Sequence, residues 1–161
     1  AEGLAQRERF SEHSRETFDA AIGTARSIAE NLFAPHNRKN DEHEPQYVDG
    51  AAVLILEVKP AVDAFLEAGF LNATREFEVG GMQLPNLLSQ ACFAHFQSAN
   101  AATTSYPFLT MGAANLIESF GSAEQKAVSY TNLTLPTKCS VEISEVAVSY
   151  KKKILKTIKS V

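Results

Sequence analysis

The 161-residue sequence predicts an all-α fold: a compact bundle of four to five helices with an irregular C-terminal tail. Three observations predict it. Apolar residues recur at three- and four-residue spacing, the period of a helix with one buried face. Prolines and glycines fall between those segments, at helix entrances and exits. Up to Ala127 no two segments alternate convincingly enough to pair as strands.

The first helix carries Phe18, Ile22, Ala25, Ile28, Ala29, Leu32 and Phe33 as one stripe. Glu12, Glu16 and Asp19 lie early in it, where the helix dipole favours negative charge. Pro35 marks its end, because proline disfavours helix at the preceding residue. Residues 36–50 are polar and turn-rich and are expected to form a solvated loop, with a turn at Asp49-Gly50. Val53 to Leu56 is apolar and suits an extended segment. A second helix follows with Pro60 in its first turn, a core face of Ala61, Val62, Phe65 and Ala68, and Gly69 as its stop. Gly80-Gly81 lies in a connection and calls for positive φ or close backbone approach.

Pro85 opens a third helix that buries Leu88, Cys92, Phe93 and Phe96. A fourth runs from about Thr104 to Phe120, with Tyr106 at its entrance ahead of Pro107, and stops at Gly121. Ser122-Ala123-Glu124-Gln125 fits a capping box, so a fifth helix is expected to begin there.

After Ala127 the pattern changes. Residues 1–127 carry a net charge of −8 and residues 128–161 a net +4, within a total of −4. The boundary expected from this is a helical domain over 1–127 and a non-native or disordered tail over 128–161. Val128 to Thr137 is nearly Val-Ser-Tyr-Thr-His-Leu-Thr-Leu-Pro-Thr, which resembles the translation of a common sequencing adapter and differs only at Asn132.

Composition excludes several functions. The acidic first part argues against binding a phosphate backbone, which needs clustered positive charge, so no nucleic-acid partner is expected. No stretch approaches the ~18 apolar residues of a membrane span. Ala1-Glu2-Gly3-Leu4 shows no basic region ahead of an apolar one, so no secretory signal is expected, and the missing Met implies a longer reading frame. Cys92 and Cys139 give no disulfide framework, which points to a reducing, cytoplasmic setting. The sequons at Asn72 and Asn132 are then chance matches.

The candidate chemistry is sparse. His36 and His43 flank Asp41 and Glu42, but the spacing follows no metal-ligand pattern, and solvation is the expected role. Cys92 and His95 share a helix face with no third group to orient the histidine, so a buried free cysteine is expected. Glu76 and Glu78 alternate in a loop and are expected to be solvated. No catalytic residue and no metal site is assigned. On residues alone, the reading reaches a helical domain.

Several phrases, in order, resemble the acyl-CoA dehydrogenase family. They are Leu32-Phe33-Ala34-Pro35-His36-Asn37-Arg38, Asp49-Gly50 and Phe65-Leu66-Glu67-Ala68-Gly69-Phe70. Glu76-Phe77-Glu78-Val79-Gly80-Gly81-Met82-Gln83-Leu84-Pro85 is similar to the family's E-x-Y-G-G-x-G-L-P. Ser98-Ala99-Asn100, Tyr106-Pro107-Phe108-Leu109-Thr110-Met111-Gly112-Ala113-Ala114 and Gly121-Ser122-Ala123-Glu124-Gln125-Lys126 complete the set. The long loop and the Tyr-Pro phrase are most similar to the larger bacterial members, including the methylthiopropanoyl-CoA dehydrogenase branch. Val79, Met82-Gln83 and Val53 to Leu56 depart from the usual pattern.

The resemblance implies an N-terminal fragment of a flavoprotein oxidoreductase of fatty acid metabolism. Such an enzyme removes a proton and a hydride from Cα and Cβ of an acyl-CoA, using FAD and passing electrons to an acceptor. It is commonly a homo-oligomer. The flavin phrase and the catalytic glutamate of the family lie in later domains, so this chain alone is expected to bind no FAD and to be inactive. The resemblance implies that Tyr106, Leu109, Thr110, Met111 and Ala114 line the acyl chain. A different class of reading is a self-contained helical binding module with a basic tail.

Overall fold

The structure, a computed structural model, describes residues 2–49 and 51–127. The chain divides into two compact units, residues 1–108 and 109–161. The boundary expected at Ala127, and the whole adapter-like segment, fall at or beyond the end of the described residues.

The first unit begins with α1 (Glu2–Ala5) and a 3-10 turn at Glu8–Phe10. Helix α2 (Arg15–Ile28) starts at a capping box: Ser14 Oγ accepts from the Thr17 N–H, and Thr17 Oγ1 accepts from the Ser14 N–H. Its buried stripe is Phe18, Ala21 and Ala25, continued by Ala29 and Phe33 beyond its end, at steps of three and then four residues. Ile22 and Leu32 of the expected stripe sit at its margins, and Leu32 is 38% exposed.

The chain leaves α2 through a π turn (Ala29–Phe33) and a 3-10 turn (Ala34–His36) that contains Pro35. The α-helix thus ends at Ile28, ahead of the end expected at Pro35, and Pro35, which has no N–H to continue the ladder, sits in the tighter turn that leads into the next segment.

The expected loop over 36–50 is corrected in two ways. Asn37–Glu42 forms helix α3, and Gln46–Val48 (β1) pairs antiparallel with Ala51–Val53 (β2) in a two-stranded sheet. Register places Tyr47 opposite Ala52. Helix α3 has no apolar stripe. It is supported by the Arg38–Glu42 ion pair at 2.7 Å and by Lys39 reaching Glu57 at 2.6 Å. Strands of three residues are too short to show alternation. Asp49, at φ 49°, turns the hairpin.

Helix α4 (Val58–Glu67) carries Pro60 in its first turn and buries Val58, Ala61, Val62 and Phe65. Gly69 follows it in the left-handed region, at φ 80°. In the next connection Gly80 supplies a positive φ of 77° and Gly81 a close approach. A Cβ on Gly81 would lie 2.2 Å from the Arg75 carbonyl oxygen. Both uses expected of the glycine pair are present, one at each residue. The N-terminal arm docks on this loop: Arg9 pairs with Glu76, and Gln83 Nε2 donates to the Arg9 carbonyl at 2.6 Å. Glu76 is therefore an ion-pair partner, and Glu78 remains exposed.

Helix α5 (Asn86–Ala99) packs most extensively on α2. Phe96 is fully buried at the centre of an aromatic cluster. Its ring lies 5.0 Å from Phe33, 4.9 Å from Phe65 and 5.3 Å from Phe70.

Helix α6 (Ala101–Phe120) follows after one residue and crosses the boundary between the units. Asn100 starts it: its Oδ1 accepts from the Thr103 N–H at 3.0 Å. The helix thus begins three residues before the expected start. Pro107 is inside it, and Tyr106 lies within the second turn instead of at the entrance. The Asn100 cap, and not Pro107, sets where the helix begins.

In the second unit, Gly121 ends α6 and residues 123–127 are again helical. The capping box expected there is formed. Ser122 Oγ accepts from the Gln125 N–H, and Gln125 Oε1 from the Ser122 N–H.

Candidate functional site

Of the five residues proposed for an acyl wall, Tyr106 belongs to the first unit and Leu109, Thr110, Met111 and Ala114 to the second. Leu109 is 68% exposed, Thr110 and Met111 are half-buried, and Ala114 is buried. Along α6, Phe108, Leu116 and Phe120 are exposed as well. An isolated soluble surface rarely keeps so many large apolar side chains on one helix.

Tyr106 is 38% exposed, and burial pushes its phenol pKa up. The ring is one wall of a small groove of about 40 Å³ within the first unit. The facing residues are Asn40 and His43 of α3 and its exit, Leu54 and Ile55 after the hairpin, and Val58 of α4. No sequence spacing singled out these residues, because the groove joins three segments that are polar or short when read alone.

Behind the groove lies a buried polar network. His36, expected in a solvated loop, is only 2% exposed. Its Nε2 lies 2.7 Å from Thr103 Oγ1, and Asn40 Nδ2 donates to the same oxygen at 2.8 Å. Asn40 Nδ2 also reaches Asn100 Oδ1 at 3.3 Å, and Asn100 Nδ2 donates to the Phe33 carbonyl at 3.1 Å. Two backbone groups fix the Asn100 amide, the Phe33 carbonyl and the Thr103 N–H, so the Asn40 atom facing Asn100 Oδ1 must be its NH2. Thr103 Oγ1 then accepts from Asn40 and gives its own proton to His36 Nε2. His36 is accordingly a neutral acceptor at Nε2.

Burial is the main influence on His36 and lowers its pKa. A hydrogen bond to the Leu32 carbonyl and the charge of Glu57 act in the opposite direction, while Lys39 adds to the lowering. Glu57 is itself held below the usual carboxylate range, first by its hydrogen bond from Lys39.

Among the described residues no three His, Cys, Asp or Glu side chains converge as a metal-holding group. Cys92 is buried, and burial pushes its thiol pKa up, which suits a core residue and disfavours a nucleophile. No helix among the described residues is long and apolar enough to cross a membrane.

Residues 15–134 match the family described as acyl-CoA dehydrogenase, N-terminal domain. The match begins at the capped start of α2 and includes the groove, the buried network and all of α6. The chain is also similar to the 3-methylmercaptopropionyl-CoA dehydrogenase of Ruegeria pomeroyi (strain ATCC 700808 / DSM 15171 / DSS-3), with 29% identity over 118 residues. That alignment covers 73% of this chain and 20% of the relative, so the chain spans about a fifth of the relative's length. Its helical architecture and the extent of the match place the chain in the acyl-CoA dehydrogenase family, through that family's N-terminal domain.

Proposed function

We propose that this chain is the N-terminal part of a flavin-dependent acyl-CoA dehydrogenase that introduces a Cα–Cβ double bond into an acyl-CoA thioester. Tyr106, Leu109, Thr110, Met111 and Ala114 contribute to the wall around the acyl chain. The observation that carries the reading is the family match over residues 15–134, which includes all five positions. Their chemistry agrees with it: the set is uncharged and mostly apolar, and contact with such surface favours an acyl chain by ~25 cal/mol per Å² buried.

The glycine pair Gly80-Gly81 packs against the chain's own backbone at Arg75, which agrees with a role in loop geometry. In this reading FAD, the catalytic base and the docking of an electron acceptor belong to other parts of a longer cytoplasmic homo-oligomer. The 161-residue chain alone neither binds FAD nor oxidises acyl-CoA.

The test has two arms. The product of the complete gene should reduce a dye acceptor when given an acyl-CoA and should purify with bound flavin. The 161-residue chain, mixed with FAD and passed through gel filtration, should emerge colourless. A yellow chain would overturn the proposed inactivity, and a flavin-free complete protein would overturn the activity.

A further inference from the structure

The N-terminal arm ahead of α2 has no buried residue from Gly3 to His13. It is held by polar contacts to the connection that runs from the 3-10 turn Phe70–Asn72 to α5. Arg9 pairs with Glu76, and both side chains are half exposed. Arg9 Nη2 also donates to the Thr74 carbonyl at 3.4 Å. Gln83 engages the arm twice. Its Nε2 donates to the Arg9 carbonyl at 2.6 Å, and its own carbonyl accepts from His13 Nε2 at 3.1 Å. A carbonyl only accepts, so Nε2 carries the proton in that bond. The His13 ring lies 5.3 Å from the Phe18 ring and 5.7 Å from that of Phe77. Gln83 is also at φ 49°, in the left-handed region that is costly for a residue with a Cβ. Such a conformation persists only where the surroundings hold it. Here the arm holds Gln83 at its side chain and at its carbonyl.

We propose that residues 7–13 are a releasable strap latched by Gln83, which opens while the helical core stays folded and, on opening, lets the 74–84 connection leave its strained form. An exposed ion pair contributes little in water, and a segment with exposed hydrogen bonds and no buried side chain is the part of a fold that opens first. The strain at Gln83 acts in the same direction, because it is relieved only when the latch lets go. The closed form is therefore favoured by a small margin, as a two-state element requires. The connection leads through Pro85 into α5, the helix packed most extensively on α2, so the strap acts on the entrance to the main helix pair. The arm precedes residue 15, where the family match begins, and the family assignment does not account for it.

The test is amide hydrogen exchange on the 161-residue chain. The Phe10 and His13 amides, bonded within the arm, report the strap, and the Leu84 amide, bonded to the Ala73 carbonyl, reports the connection. In the unaltered chain the arm amides should be less protected than those of Ala25 in α2 and Phe96 in α5. Gln83→Gly removes the latch but adopts φ 49° without strain. Protection of the arm should then fall by roughly 5-fold, the net effect of one hydrogen bond, while Leu84 stays protected. His13→Phe keeps a ring beside Phe18 and Phe77 but removes the donor to the Gln83 carbonyl. The arm and Leu84 should then both lose protection, by roughly 5-fold. Arm amides that exchange only together with Ala25 and Phe96 would overturn the separate opening. An arm unaffected by Gln83→Gly would overturn the latch, and a Leu84 amide unaffected by His13→Phe would overturn the hold of the arm on the connection.

Discussion

The Thr103 hydroxyl lies 2.7 Å from Nε2 of His36, across 67 residues of sequence, and joins the end of the first long helix to the start of the last one. Both groups are buried. With Asn40 donating to Thr103 Oγ1, the Thr103 hydroxyl proton is given to neutral His36 Nε2, and protonation of His36 would take that buried acceptor away.

This gives a pH dependence with a defined sign. Burial lowers the pKa of His36 in the folded chain, relative to about 6.5 in the unfolded chain. The folded state therefore binds the proton less readily. The stability from neutral His36 is fully present above the unfolded pKa and is lost as pH falls through the lower, folded value. Unfolding free energy should decline below pH ~6.5, and His36→Gln should remove that part of the decline. An imidazole Cε1–H titration midpoint at or above the unfolded value would reject the assignment.

Thr103 should be costly to replace without a hydroxyl. Thr103→Val keeps the shape but strands His36 Nε2 and removes one acceptor of the Asn40 amide, at ~1–3 kcal/mol by the cost of an unpaired buried polar group. Thr103→Ser restores the oxygen and should recover most of the loss. Urea unfolding of the two variants decides this. Equal destabilisation by both would mean that the methyl group, not the hydrogen bond, matters there.

Two glycines should respond oppositely to alanine. Gly23 lies mid-helix in α2 with open space around a Cβ. Gly23→Ala should stabilise by ~0.5–1 kcal/mol, because glycine loses more backbone entropy on folding. At Gly81 the added Cβ meets the Arg75 backbone at 2.2 Å, and Gly81→Ala should lower the melting temperature and disturb the 72–84 connection. A neutral result at Gly81 would mean that the loop does not hold this close approach.

The long helices were legible because a buried helix writes its own period. Phe18, Ala25 and Phe33 are spaced as the core requires, and Leu88, Cys92, Phe93 and Phe96 are all buried as expected. Helix α3 and the hairpin were not legible. Arg38, Glu42 and Lys39 stabilise α3 through ion pairs, and one of those pairs reaches Glu57 in a different segment. His36 misled for a related reason. Its polar neighbours in sequence, Asn37 and Arg38, suggested solvent, but its neighbours in space are Thr103 and the Leu32 carbonyl. The groove was invisible because Asn40 and Tyr106, 66 residues apart in sequence, line it together only once the chain has folded. The glycine pair was read correctly as backbone geometry, since the requirement is local.

Ala114 provides the sharpest test of the proposed acyl wall. It is buried and lies one turn beyond Thr110 on α6, where a small side chain leaves room for whatever packs against it. If the acyl chain of the complete enzyme passes there, Ala114→Leu fills that room. Longer substrates should then lose more than shorter ones, because each methylene excluded from apolar contact forfeits ~0.8 kcal/mol, close to a 4-fold change. If Ala114 packs only against the protein's own core, the same change should cost ~1–3 kcal/mol of stability through overpacking and leave chain-length preference alone. The measurement is kcat/KM over a series of acyl-CoAs of increasing length, alongside the melting temperature of each variant. The proposed wall requires a shift of preference toward shorter chains with a modest stability change. Unchanged selectivity together with a clear fall in melting temperature would remove Ala114 from the wall. Met111→Leu, a change of shape at nearly constant volume on the same helix, would then show whether a neighbouring position touches substrate.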